Sequence, residues 1–116
     1  MNFEKVIESY YRAINDSSLS GIKDCMHNKN PNKNKVFEIY GPVFNKYKLI
    51  AKILSCRVLG QDGKHVIVKE NTETKKISGE EFQDNVTQNI HILESNSQSE
   101  WKIVHSQLVG IEVLAK

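Results

Sequence analysis

The chain has 116 residues, enough for one domain with a real core and too few for two of ordinary size. Apolar residues at 39% and charged residues at 26% are ordinary for a globular protein, and 16 basic against 14 acidic side chains leave a net charge of only +2. That balance gives no electrostatic case for nucleic-acid binding, and no apolar run approaches membrane-spanning length.

The first residues, Met1-Asn-Phe-Glu-Lys-Val, open an amphipathic pattern with acids inside it, without the apolar stretch of a secretion signal. Cys25 and Cys56 belong to no Cys-x-x-Cys pair and no metal-ligand spacing, which implies two reduced thiols in a cytoplasmic protein. Without a secretion signal, the glycosylation sequons at Asn15-Asp-Ser17 and Asn85-Val-Thr87 carry no expectation. The abundance of Asn, Lys and Ile is associated with AT-rich bacterial genomes.

From Phe3 to Asn15, the residues Phe3, Val6, Ile7, Tyr10, Ala13 and Ile14 recur at three- and four-residue steps, the spacing of a helix with one buried face. Asp16-Ser-Ser is a loop signal whose serines can cap a second helix, Leu19 to His27, burying Leu19, Ile22 and Met26. Asn28 to Asn34 is polar and rich in turn residues, hence a loop. The apolar stretch Val36 to Tyr40 fits a helical turn or an edge strand, and Gly41-Pro42 is expected to end it.

Beyond Tyr47 the pattern becomes that of long strands. Tyr47 to Leu59 and His65 to Lys76 flank an Asp-Gly turn signal, and Ile77 to Glu81 forms a wider connection. A second hairpin then runs from Asp84 to Leu114, its arms separated by the polar run Glu94 to Glu100. Helices followed by a four-strand meander predict a single α+β domain over residues 1–116, with the helices on one face of the sheet. Between Asn28 and Gln61 seven basic residues face one acid, Glu38, but no aromatics alternate with them, so a solvated edge is favoured over an RNA-binding face.

The first-helix run Val6-Ile-Glu-Ser-Tyr-Tyr-Arg-Ala-Ile, the step Asn-Asp-Ser-Ser-Leu into the second helix and the strand Trp101-Lys-Ile-Val-His-Ser-Gln together resemble the SnoaL-like, nuclear-transport-factor-2-like superfamily. The resemblance covers nearly the whole chain. It implies a cystatin-like cone: two to three N-terminal helices on a bent antiparallel sheet of about four long strands, a pocket inside, and frequent homodimers formed through the sheet. Ketosteroid-isomerase-like members use a tyrosine of the first helix, an aspartate base after the second and a protonated aspartate on the next-to-last strand. Tyr10 aligns with the tyrosine, but Asn28 to Phe37 holds no carboxylate and the last position falls near Gln88 or Asn89. Neither amide can remove a proton, so that mechanism is not expected.

Two-residue alternation puts Trp101, Ile103, His105, Gln107 and Val109 on one face of the last strand, which the resemblance turns toward the cone. On the preceding strand Val86, Gln88, Ile90 and Ile92 are assigned inward, and Thr87, Asn89 and His91 outward. The opposite face of the last strand, with Val104, Ser106 and Leu108, is the expected dimer surface. The expected ligand pocket comprises Tyr10, Ile14, Met26, Gln88, Ile90, Trp101, Ile103, His105 and Gln107, and it suits a small apolar ligand. If the protein is catalytic, as an isomerase or a hydratase/cyclase, the candidates are Tyr10, His105 and Glu70, with Glu70 alternating inward beside Val66 and Val68. His27, His65, His91 and His105 lie on separate elements without ligand spacing, and no phosphate loop or nucleophile elbow occurs, so neither metal nor cofactor is expected. Partners beyond a second copy, such as a protein on the outer sheet face, are a further alternative.

Overall fold

The computed structural model describes residues 3–114. Helix α1, Phe3–Asn15, turns Phe3, Val6, Ile7, Tyr11 and Ala13 into the core. Helix α2, Leu19–Asp24, starts at Ser18, whose Oγ accepts from the Gly21 amide at 3.0 Å. It is shorter than the pattern suggested. Cys25 to His27 leave the helix and clip onto the last strand, with Ile103 N donating to Cys25 O at 2.8 Å and His27 N donating to Ile103 O at 2.9 Å.

After a 3-10 turn at Lys33–Lys35, helix α3 spans Val36–Lys46. The expectation that Gly41-Pro42 ends this element is corrected, because the helix continues through Pro42. Proline removes only one amide from the ladder, and its ring lies exposed at the surface. Tyr40 and Phe44 pack against a small core of Ala13, Ile22, Met26 and Val36.

Four strands follow: β1 Tyr47–Asp62, β2 His65–Gly79, β3 Asn85–Ser95 and β4 Trp101–Val113, antiparallel and paired in chain order. Register shifts at Lys48/Leu49, Ile53/Ser55 and Val58/Gly60 on β1, and two more between β3 and β4, bend and twist the sheet around α1. The result is an α+β cone. Its main core, between α1 and the concave face, contains Ile7, Val66, Val68, Leu93 and Ile103, all at most 1% exposed.

Directly paired residues share a face of the sheet. Val66, Val68, Glu70 and Thr72 of β2 are buried inward, which through the register places Leu93, His91, Asn89 and Thr87 of β3 on the same concave face. This reverses the expected orientation of β3. Its apolar Ile90 and Ile92 lie on the convex face with exposed Gln88, whereas His91 is 2% exposed within the core.

A bulge corrects β4 in the same way. Leu93 pairs with Ile103 and Ile92 with His105, so Val104 is the extra residue and alternation restarts after it. His105 and Gln107 therefore face outward, opposite Ile92 and Ile90, while Ser106 and Leu108 face inward, opposite His91 and Asn89.

Candidate functional site

The concave face carries a chain of polar side chains drawn from α1, β2, β3 and β4. Glu70, with no exposed surface, sits at its centre. Tyr11 Oη donates to Glu70 Oε1, Thr72 Oγ1 donates to Oε2, and His91 Nε2 meets Oε1 at 2.9 Å. On the other side of the ring, His91 Nδ1 meets Ser106 Oγ at 2.7 Å. Asn89 Nδ2 donates to Thr87 Oγ1 at 2.9 Å and, at 3.4 Å, to the Tyr11 hydroxyl.

The register explains this convergence: His91 stands opposite Val68 on one side and Ser106 on the other, one rung from the pair Glu70 and Asn89. Burial pushes the Glu70 carboxyl up, but the hydrogen bonds from His91, Thr72 and Tyr11 outweigh it and hold the group below its ordinary range. Burial first, and the adjacent Glu70 charge second, push the Tyr11 hydroxyl far up, so it remains a donor. An ionised carboxylate can only accept, so His91 donates from Nε2. In the neutral imidazole the lone pair is then on Nδ1, where the Ser106 hydroxyl donates.

Tyr10, beside Tyr11 on α1, hydrogen-bonds Tyr40 of α3 through the two hydroxyls, and its ring lies edge-on to His91 with centroids 6.3 Å apart. Burial pushes the Tyr10 hydroxyl well up, with Tyr40 adding to the shift. Past this aromatic wall the concave face opens. Leu108, Ile111 and Val113 of β4, inward by register, are 56%, 59% and 51% exposed.

A second feature lies outside the cone. A recess of about 710 Å³ separates the outer side of α1 and α2 from the β3–β4 turn. Lys5, Ser9, Arg12 and Asp16 form one wall, and Glu100, Trp101 and Lys102 the other. Trp101 is half-buried there, and Lys102 Nζ donates to Asp24 O at 2.7 Å.

Of the residues expected to form the pocket, Tyr10, Ile14, Met26 and Ile103 lie within or against the two cores, and Trp101 stands at the recess. Gln88, Ile90, His105 and Gln107 lie on the convex face, away from both. Glu70 lies inward with no exposed surface, and its imidazole partner is His91, not His105. Sequence reasoning therefore missed His91, Tyr11, Thr72 and Ser106, and only their place on the inner side of the true register marks them.

At the narrow end, Glu94 gathers Lys29 at 2.7 Å, His65 at 2.8 Å and His27 at 3.3 Å. The Lys29 hydrogen bond leads in pulling the Glu94 carboxyl below its ordinary range. Among the described residues no three His, Cys, Asp or Glu side chains are arranged to hold a metal ion, and no helix is long and apolar enough to cross a membrane.

Solved structures with the same fold include a nuclear transport factor 2-like superfamily protein of Salmonella enterica, at TM-score 0.75 and 14% identity over 91% of this chain and 86% of that one. A ketosteroid isomerase-like protein of Erwinia carotovora atroseptica superposes at TM-score 0.70 and 15% identity, over 90% of this chain and 89% of that one. A hexachlorocyclohexane dehydrochlorinase, LinA-type3, of Novosphingobium barchaimii matches at TM-score 0.70 and 8% identity, over 97% and 87%. At these identities the likeness establishes the cone and nothing of the chemistry. No curated protein sequence matches. One family's sequence model, described as the C-terminal domain of anti-sigma-I factor RsgI9, matches residues 5–114.

Proposed function

Because the chain belongs to the family of anti-sigma-I factor RsgI9 C-terminal domains, we propose that it is a module whose main role is to bind a small ligand and that it assembles as a homodimer. The protein that gives the family its name is an anti-sigma factor, and a ligand-binding domain would give such a regulator an input.

The observation that carries the reading is the recess beside α1. Side chains fill the closed end of the cone, as the exposures of Ile7, Glu70, Val66, Val68 and Leu93 attest, so this reading places the ligand outside it. The recess offers the aromatic surface of Trp101 together with the cations Lys5, Arg12 and Lys102 and the acids Asp16, Asp24 and Glu100. Such a lining suits an amphipathic molecule with a flat apolar part and a charged group. Both cysteines are free, which is compatible with the reducing compartment expected from the sequence.

The isomerase or hydratase/cyclase alternative built on Tyr10, His105 and Glu70 loses its support, since His105 and Glu70 occupy opposite faces of the sheet. The homodimer reading now rests on the convex face, where Ile50, Ile67, Ile90 and Ile92 are wholly or partly exposed.

Thermal-shift screening against small aromatic and aliphatic anions tests the binding reading. A stabilising compound should lose its effect in Trp101→Ala and in Arg12→Ala. Stabilisation retained in both variants would move the site elsewhere, and a screen of folded protein with no stabilising compound would count against ligand binding in the recess.

A further inference from the structure

We propose that Ser106 is an activated nucleophile, oriented by His91 and Glu70, that gives this domain a hydrolytic activity toward esters of small apolar acids.

The argument starts from the direction of each hydrogen bond. Glu70 is ionised and accepts from Tyr11 and Thr72, so it can take only a donor from His91, and that donor is the Nε2 proton. In the neutral ring this leaves the Nδ1 lone pair facing Ser106 Oγ at 2.7 Å. A nucleophile hydrogen-bonded to a base, with the base oriented by a third group, is the arrangement that activates a serine. The two imidazole nitrogens exchange the roles they have in the familiar serine-protease triad, which leaves the proton transfer itself unaffected.

Access supports the same reading. Glu70 and His91 are sealed in the core, whereas Ser106 is exposed on the concave face. The orienting pair is therefore shielded from water while the nucleophile is not. Along the same inner face of β4, Leu108, Ile111 and Val113 form an exposed apolar strip leading to the mouth, suited to an apolar acyl chain. The side-chain amide on that face is Asn89 Nδ2, whose contact with Tyr11 is long at 3.4 Å, and this proposal assigns it to the developing oxyanion.

The reaction balances without a cofactor. Ser106 Oγ adds to the ester carbonyl carbon as its proton passes to His91 Nδ1. The tetrahedral adduct collapses, the bond from the carbonyl carbon to the alkoxy oxygen breaks, and the leaving alkoxide takes the proton from Nδ1. Water then attacks the acyl-serine, gives its proton to Nδ1, and the acid departs as Oγ recovers that proton. One ester and one water yield one acid and one alcohol.

The test uses the full chain with two probes, p-nitrophenyl butyrate for turnover and an alkyl fluorophosphonate for covalent labelling. Wild type should release nitrophenolate and carry one phosphonyl group, mapped by mass spectrometry to the peptide containing Ser106. Ser106→Ala, a change at an exposed position, should lose the label and about 100-fold or more of the turnover. Glu70→Gln, checked for folding by circular dichroism, should label more slowly at the same serine. Folded wild type that neither labels nor turns over would overturn the proposal, as would activity that survives in Ser106→Ala. Because Ser106 is not part of the Trp101 recess, ligand-induced stabilisation should be unchanged in Ser106→Ala, so the two readings stand or fall separately.

Discussion

Glu70 shows what the interior requires of a charge. A carboxylate without solvent is costly unless each oxygen has donors, and here Tyr11, Thr72 and His91 supply them. Glu70→Gln keeps the shape but turns an acceptor oxygen into an NH2 group that faces existing donors, so it should destabilise the fold by about 1–3 kcal/mol near neutral pH. The pH dependence has a fixed sign. The folded-state pKa of Glu70 lies below the unfolded reference of 4.5, so its contribution is complete above that value and is lost as the pH falls through the folded value. Urea unfolding at pH 7 and pH 3 should therefore show the gap between wild type and Glu70→Gln narrowing in acid. Glu94 has the same sign and contributes its own acid sensitivity, which remains in both proteins. An equal gap at both pH values would contradict the charged state assigned to Glu70.

At the scale of elements, α1 was legible because its apolar face repeats without interruption, and sequence and structure agree on Phe3 to Asn15. The strands were legible as elements but not in their facing. Val86, Ile90 and Ile92 advertise an inward face, yet the concave side has room for His91 and Asn89 because Glu70, Ser106 and Tyr11 satisfy them, and sequence spacing cannot display partners on the flanking strands and the first helix. On β4 the extra residue Val104 reverses the alternation for His105 through Leu108, a change that depends on pairing and not on composition. The junction of α3, β1 and β2 gives a sharper test. Gly79 has φ +113°, and a Cβ there would stand 2.1 Å from Lys46 O. Gly79→Ala should cost about 1–3 kcal/mol. At Gly63, in the β1–β2 turn, nothing lies within 4 Å, so Gly63→Ala should stay within about 0.5 kcal/mol. Chemical denaturation of the two variants compares them directly, and equal losses would show that the Gly79 junction yields freely.

For the whole molecule, the fold class followed from the order of helices and strands, whereas the candidate site did not, since it depends on register. The convex face, with Ile67 and Ile90 bordered by Lys69, His105 and Gln107, is the surface on which the homodimer reading rests. Analytical ultracentrifugation should find twice the 13.3 kDa chain mass, and Ile90→Lys should return it to one chain mass without unfolding it. Wild type sedimenting as a monomer at tens of micromolar would remove the dimer.

The clip of Cys25 to His27 onto Ile103 bears on how the molecule avoids polymerising. A meander sheet always ends in two strands with a row of unsatisfied amides and carbonyls, and such rows recruit further strands. The outer edge of β1 carries Lys48, Lys52 and Arg57, charges that discourage stacking, but β4 is apolar for much of its length. By laying a short stretch of its own backbone against β4, the segment after α2 caps the start of that row from within the chain. The helical half of the molecule is thus a stopper as well as a cover: if it lifts, the concave apolar face and a template edge are bared together, the combination from which fibrils grow.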